Sequence, residues 1–180
     1  MNLGSLCLLA QRPNVLISES YRELNSLLHR VDPSYGISGD RYSAQIKVLC
    51  DQLKTQDVLD YGCGKRCLER ALGFPIANYD PCIPGLESPP EPHDIVACTD
   101  VMEHIEPDCM EAVLKDIRRC TKRVAFFLVS TRPAMKYLSD GRNAHLIQQP
   151  FAWWKESFEQ AGFEIVDVKE PRGGFAVLCT

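Results

Sequence analysis

Residues 58–68 read Val-Leu-Asp-Tyr-Gly-Cys-Gly-Lys-Arg-Cys-Leu, and no other stretch of the chain restricts its fold as tightly. Two apolar residues, Val58 and Leu59, run into an acid, Asp60. Two glycines one residue apart, Gly62 and Gly64, then open onto a segment with Leu68 and Leu72 at helical spacing. Glycine is needed where a backbone turns tightly and lets another group come close. A strand, a glycine loop and a helix start, in that order, make a ligand site of nucleotide type at the carboxyl end of a parallel strand.

The rest of the chain supplies the setting such a site needs. Apolar residues at helical spacing predict helices over 18–29 (Tyr21, Leu24, Leu27 and Leu28 inward) and 42–53 (Ile46, Leu49, Cys50 and Leu53 inward). Strands are expected at 57–61 and 76–79, with a helix over 65–72 between them that Gly73 and Pro75 stop. Residues 94–99 and 123–130 are continuous apolar runs, as in strands of a parallel sheet covered on both faces. Between those two runs, 107–121 carries a helical stripe of Met110, Val113, Leu114 and Ile117. A short helix is expected over 133–138 and a longer one over 150–161, ended by Gly162. Strands over 163–169 and 174–179 close the chain, and the short link between them requires antiparallel pairing. Strands alternating with helices predict an α/β fold with a mostly parallel sheet. The expected division is an N-terminal helical cap over 1–55 and a ligand-binding core over 56–180.

Bulk properties set limits. The chain's 180 residues suit one compact unit, and its net charge of −4 argues against a broad nucleic-acid-binding face. No run of 18 apolar residues exists, so no membrane partner is expected. Residues 1–10 lack the basic start of a signal peptide. Nine cysteines without framework spacing predict reduced thiols and a cytoplasmic location. No metal site is expected: there is no C-x-x-C pair, and Cys63, Cys67, Cys82 and His93 read as ordinary core or loop residues.

Four motifs, in order, resemble those of the class I S-adenosylmethionine-dependent methyltransferases. They are Asp60-x-Gly62-x-Gly64; an acid, Asp80, 18 residues beyond Gly62 at the tip of the second strand; Asp94-Ile95-Val96 with Asp100-Val101-Met102-Glu103-His104-Ile105; and Phe158-x-x-Ala161-Gly162-Phe163 before a late strand. The chain also looks similar to small methyltransferases of phage and bacterial genomes. The resemblance implies a Rossmann-like methyltransferase sheet with one antiparallel strand near its end, and S-adenosylmethionine as cofactor. It departs from the family between Asp80 and Asp94, where only 13 residues, five of them proline, replace a helix and a strand. Six strands are therefore predicted rather than seven.

The same resemblance implies roles for residues. The Gly62–Gly64 amides would meet the donor's carboxylate, Asp60 its ammonium and Asp80 its ribose hydroxyls. Pro81 would pack on the adenine in place of the missing loop, and Thr99 and Asp100 would complete the donor site. Tyr35 is either part of a lid over the donor or one residue of a plain interhelix loop. His104 either lines the transfer pocket or braces its loop. His145, in a polar loop over the acceptor side, is a candidate proton acceptor near neutral pH. Glu103 is a candidate for acceptor binding, and Arg142 either grips an anionic acceptor or is solvated. The expected activity is methyl transfer to a small molecule. The alternatives are a donor-binding regulatory or partner module without turnover, and a nucleic-acid-modifying methyltransferase. A dinucleotide reading is disfavoured because Cys67 stands at the third glycine position. Oligomeric state is open.

Overall fold

Two apolar runs form the middle of the sheet. In the computed structural model, which describes residues 15–180, they are β3 (His93–Thr99) and β4 (Thr121–Ser130). Beside β3 lies β1 (Val58–Tyr61), and beyond it β2 (Ala77–Tyr79), all parallel. On the other side, β6 (Gly174–Cys179) pairs antiparallel with β4, and β5 (Ile165–Lys169) antiparallel with β6. The order β2-β1-β3-β4-β6-β5 gives six strands with one reversed, as predicted.

Helices cover both faces. α2 (Ser43–Leu53) and α3 (Cys67–Leu72) bury Ile46, Leu49, Leu68 and Leu72 against Val58, Ile95 and Phe126 on one face. α4 (Met110–Cys120) and α5 (Phe151–Gln160) bury Val113, Ile117, Trp154 and Phe158 against Val96, Phe127 and Phe175 on the other. Because α2 packs on the sheet itself, the segment expected as a cap supplies part of the core's covering. Residues 1–14 of that segment lie outside the described residues. No helix among the described residues is long and apolar enough to cross a membrane.

Several boundaries differ from expectation, each for a local reason. Residues 38–42 form a 3-10 turn ahead of α2, and 107–109 another ahead of α4. α3 begins only at Cys67, because Arg66 sits in the left-handed region at φ 55°. No helix forms over 133–138. There the Asn143 side chain accepts from Ala134 N at 2.9 Å and donates to Ala134 O at 2.8 Å, which takes the backbone groups a helix would use. α1 (Glu19–Val31) is present, but its buried face is Tyr21 and Asn25, with the leucines only half-buried. The proline-rich stretch folds back in tight turns: Asp80 N donates to Leu86 O at 2.9 Å, and Ser26 Oγ ties α1 to Cys82 O at 2.7 Å.

Candidate active site

A cleft of about 870 Å³ opens at the carboxyl ends of β1, β2 and β3, between α1, the 34–42 segment and the loop after β4. Parallel strands deliver their carboxyl ends there, which is where such sheets bind ligands.

Asp80, just beyond β2, lines this cleft and is nearly buried, at 6% exposure. Its Oδ2 accepts from Gly64 N at 3.1 Å and its Oδ1 from Cys82 N at 2.9 Å. Those two bonds fix the carboxylate, and each oxygen keeps a further lone pair. Pro81 lines the same wall.

The glycine loop is shaped by the chain around it. Gly62 (φ 83°) faces Val101, and an added Cβ would meet Val101 Cγ2 at 2.4 Å. Gly62 N and Cys63 N donate to Tyr79 O at 2.8 and 3.0 Å, and Lys65 N donates to Gly36 O at 2.8 Å. The amides that the family resemblance aims at a bound carboxylate thus each have an acceptor within the chain.

Asp60 stands behind the cleft, outside its wall, 2% exposed, with no hydrogen-bond partner for Oδ2. Burial pushes its carboxyl up to about 7, with the Asp80 and Glu69 charges adding to the effect. Thr99 is likewise buried, 6% exposed, at the end of β3 and outside the wall.

After β3 the backbone makes a left-handed turn at Asp100 (φ 61°), and the side chain enters the cleft. Asp100 N donates to Leu128 O at 2.9 Å and Ser38 Oγ donates to Asp100 Oδ2 at 2.6 Å. Burial works to raise this carboxyl, but the Ser38 hydroxyl and neighbouring groups hold it below its ordinary value.

The turn carries Glu103 and His104 to opposite fates. Glu103 is fully buried and outside the cleft wall. Its Oε1 accepts from Ser130 N at 2.7 Å, and its main-chain oxygen accepts from Ile147 N at 3.0 Å. It joins the ends of β3 and β4 to the loop that follows. Burial, then the Asp100 charge, raises its carboxyl well above the ordinary range.

His104 lines the cleft, its ring centroid 4.7 Å from that of His145. Burial pushes its imidazole down to about 4, with His145 adding to the effect. The Tyr35 hydroxyl, also in the wall, donates to Asn25 Oδ1 at 2.8 Å and lies 3.3 Å from His104 Nδ1. Burial raises the Tyr35 phenol far above its ordinary value.

His145 Nδ1 lies 2.6 Å from the Arg132 carbonyl oxygen. A carbonyl only accepts, so Nδ1 carries the proton and Nε2 keeps a free lone pair in the neutral ring.

Sequence reading therefore places Asp80, Pro81, Asp100, Tyr35, His104, His145, Gly62 and Gly64 around one cleft. Arg142 is elsewhere: it pairs with Asp140 at 2.7 Å and covers the outer side of the Tyr21 ring at 5.5 Å. Trp153 is 36% exposed and outside the wall, while Trp154 is fully buried. Sequence reading missed Asn25, His29, Ser38, Arg41 and Arg132, all of which line the cleft. A signal existed for two of them. Tyr21, Asn25 and His29 are spaced by four and share one face of α1, but that face is polar and the search followed leucines.

Residues 38–168 match the family described as the methyltransferase domain. The chain belongs to that family. The methyltransferase also resembles solved structures at low identity. One is Burkholderia thailandensis 1,6-didemethyltoxoflavin-N1-methyltransferase with bound 1,6-didemethyltoxoflavin and S-adenosylhomocysteine. It shows 17% identity over 88% of this chain and 85% of that one, with a TM-score of 0.62. Another is DhpI in a SAM–HEP complex, at 18% identity over 89% and 94%, with a TM-score of 0.58. A third is the magnesium protoporphyrin IX methyltransferase ChlM of Synechocystis PCC 6803 with bound SAM, at 15% identity over 78% of each chain and a TM-score of 0.54. No curated protein matches the sequence.

S-adenosylmethionine is the cofactor of this methyltransferase, and its residues fit that group on two points. Asp80 presents a fixed carboxylate inside the cleft, suited to a vicinal diol. Asp60, with an unpartnered buried oxygen next to the glycine loop, is suited to a cationic ammonium.

Proposed function

We propose that the methyltransferase acts on a small molecule held beneath the loop after β4, and that His145 takes up the proton the acceptor loses. The observation that carries this reading is the bond from His145 Nδ1 to the Arg132 carbonyl, which leaves Nε2 of a cleft-lining ring free to accept. His104, pushed down to about 4, is too weak a base near neutral pH and serves to position its neighbour. When bound, the donor supplies an already activated methyl group, so holding the acceptor in place supplies much of the rate.

In this reading Asp80 holds the ribose diol, Asp60 the ammonium and Pro81 the adenine. Asp100 and Tyr35 close the donor side. Small acceptors are in keeping with the named structures, which include a toxoflavin precursor and a protoporphyrin among their substrates. The net charge of −4 does not favour a nucleic acid. The eight described cysteines are free and buried, in keeping with a reducing compartment such as the cytoplasm.

The test is calorimetry with S-adenosylmethionine and S-adenosylhomocysteine on wild type and Asp80→Ala, followed by turnover of His145→Asn. Asp80→Ala should weaken donor binding by about 10- to 100-fold, the worth of a charge-assisted hydrogen bond or two. His145→Asn should lose turnover with donor affinity kept. Donor binding by wild type that survives Asp80→Ala would remove the diol role, and full turnover by His145→Asn would remove the base.

A further inference from the structure

The geometry points to a divalent-cation site formed by Glu103, His104 and His145 on the acceptor side of the cleft. One ligand atom from each lies within 4.8 Å of the others. No other group of three His, Cys, Asp or Glu side chains among the described residues comes together in this way. Metal–ligand bonds of about 2.0–2.2 Å would require the three atoms to draw in by about 1 Å or less. That is within reach of side-chain rotation.

Three further observations concern the ligand atoms. Glu103 is fully buried, yet Oε2 has no hydrogen-bond partner, Oε1 being taken by Ser130 N at 2.7 Å. A buried carboxylate oxygen without a donor is costly, and a cation removes that cost. The neighbouring Asp100 carboxyl interacts with Glu103 and adds negative charge to the same place. Finally, His145 donates Nδ1–H to the Arg132 carbonyl at 2.6 Å. Metal-bound imidazoles are commonly oriented by such a bond from the nitrogen that does not bind the metal. His104 has the Tyr35 hydroxyl 3.3 Å from Nδ1, a similar support.

Two imidazoles and one carboxylate suit zinc, cobalt, manganese or ferrous iron. Magnesium and calcium prefer all-oxygen shells. Three protein ligands leave coordination positions open, and both histidines line the cleft, so those positions face the acceptor. A hydroxyl or enol oxygen of the acceptor would occupy one. Its O–H proton would leave to solvent, and the oxygen would keep the electron pair while bound to the cation. This deepens the proposed function: with a cation present, His145 is a ligand and its role toward the acceptor's proton passes to the metal. The sequence gives no spacing signal for the site, because His145 lies 41 residues beyond His104 and joins it only through the loop after β4.

The experiment is titration of chelator-treated protein with Co²⁺ alone, read by visible d–d absorption and by calorimetry. Wild type should bind a single equivalent with the spectrum of nitrogen ligation. Glu103→Gln and His145→Asn should each weaken binding by at least about 10-fold. His93→Asn, at the far end of the sheet, should bind as wild type does. Glu103 is in the core and its variant may not fold, so His145→Asn, at a half-exposed position, carries the test independently. Absence of Co²⁺ binding by folded wild type would overturn the site, and Glu103 would then hold a proton toward Asp100. Binding by His145→Asn equal to wild type would overturn it as well. Donor calorimetry on metal-free protein is a separate reading: a failed metal site leaves donor binding standing, and a failed donor site leaves the Co²⁺ result standing.

Discussion

Gly36 and Gly64 meet backbone to backbone. A Cβ built on Gly64 would lie 2.5 Å from Gly36 O and 2.9 Å from Gly36 Cα, and Gly64 itself sits at φ 49°. The second glycine of the motif is thus required by the approach of the 34–42 segment, whose Tyr35 and Ser38 hydroxyls reach the cleft. Gly64→Ala introduces a backbone clash and left-handed strain together. It should lower stability by about 2–4 kcal/mol. Urea unfolding measures this, and an unchanged midpoint would show that the two loops part at little cost.

How far the sequence revealed this structure depended on where the information lay. β3 and β4 were legible because both of their faces are buried, so apolar runs of 94–99 and 123–130 had one interpretation. The missing helix and strand were legible because five prolines cannot support either. The loop after β4 was misread, because the bonds from Asn143 to Ala134 that displace a helix span nine residues and leave no periodic trace. The donor-side acids were legible from spacing. The cleft face of α1 was not, because its inward stripe of Tyr21, Asn25 and His29 carries polar groups chosen for the cleft. Nothing local marked Arg132, whose carbonyl orients His145 across 13 residues.

Tyr35 links α1 to the histidine pair through one oxygen, which donates to Asn25 Oδ1 at 2.8 Å and lies 3.3 Å from His104 Nδ1. Tyr35→Phe leaves the buried Asn25 oxygen without its donor. The loss should be about 1–2 kcal/mol in stability. Turnover should fall while donor affinity changes less, since the contact lies on the His104 side. Steady-state kinetics beside donor calorimetry separates the two, and equal losses in both would place Tyr35 on the donor instead.

Trp154 is fully buried among Phe158 and Phe175, ring centroids 6.2 and 6.3 Å away, and its Nε1 has no hydrogen-bond partner. Trp154→Ala should cost about 3–5 kcal/mol through the cavity it leaves. Trp154→Phe leaves a smaller cavity and removes an unsatisfied donor, so its cost should be well under half of that. Thermal or urea unfolding of the two variants checks the order. Equal losses would mean that volume alone governs the site.

Asp60 ties both stability and donor binding to pH. Its carboxyl is held up to about 7 in the folded chain by burial, whereas an aspartate in an unfolded chain ionises near 3.9. The folded state therefore binds the extra proton between those values. Its stability is highest below about pH 4, falls as pH rises, and levels off above about 7. The full penalty is about 4 kcal/mol at most, and Asp60→Asn should remove much of it at pH 8. A donor ammonium placed beside Asp60 would favour the ionised form, so donor binding at pH 6 should release a proton from this group, and at pH 8.5 it should not. Calorimetry in two buffers of different ionisation enthalpy counts those protons. Release at pH 6 that disappears in Asp60→Asn supports the contact. Release that persists in the variant would detach Asp60 from the ammonium and leave it as a buried acid beneath the glycine loop.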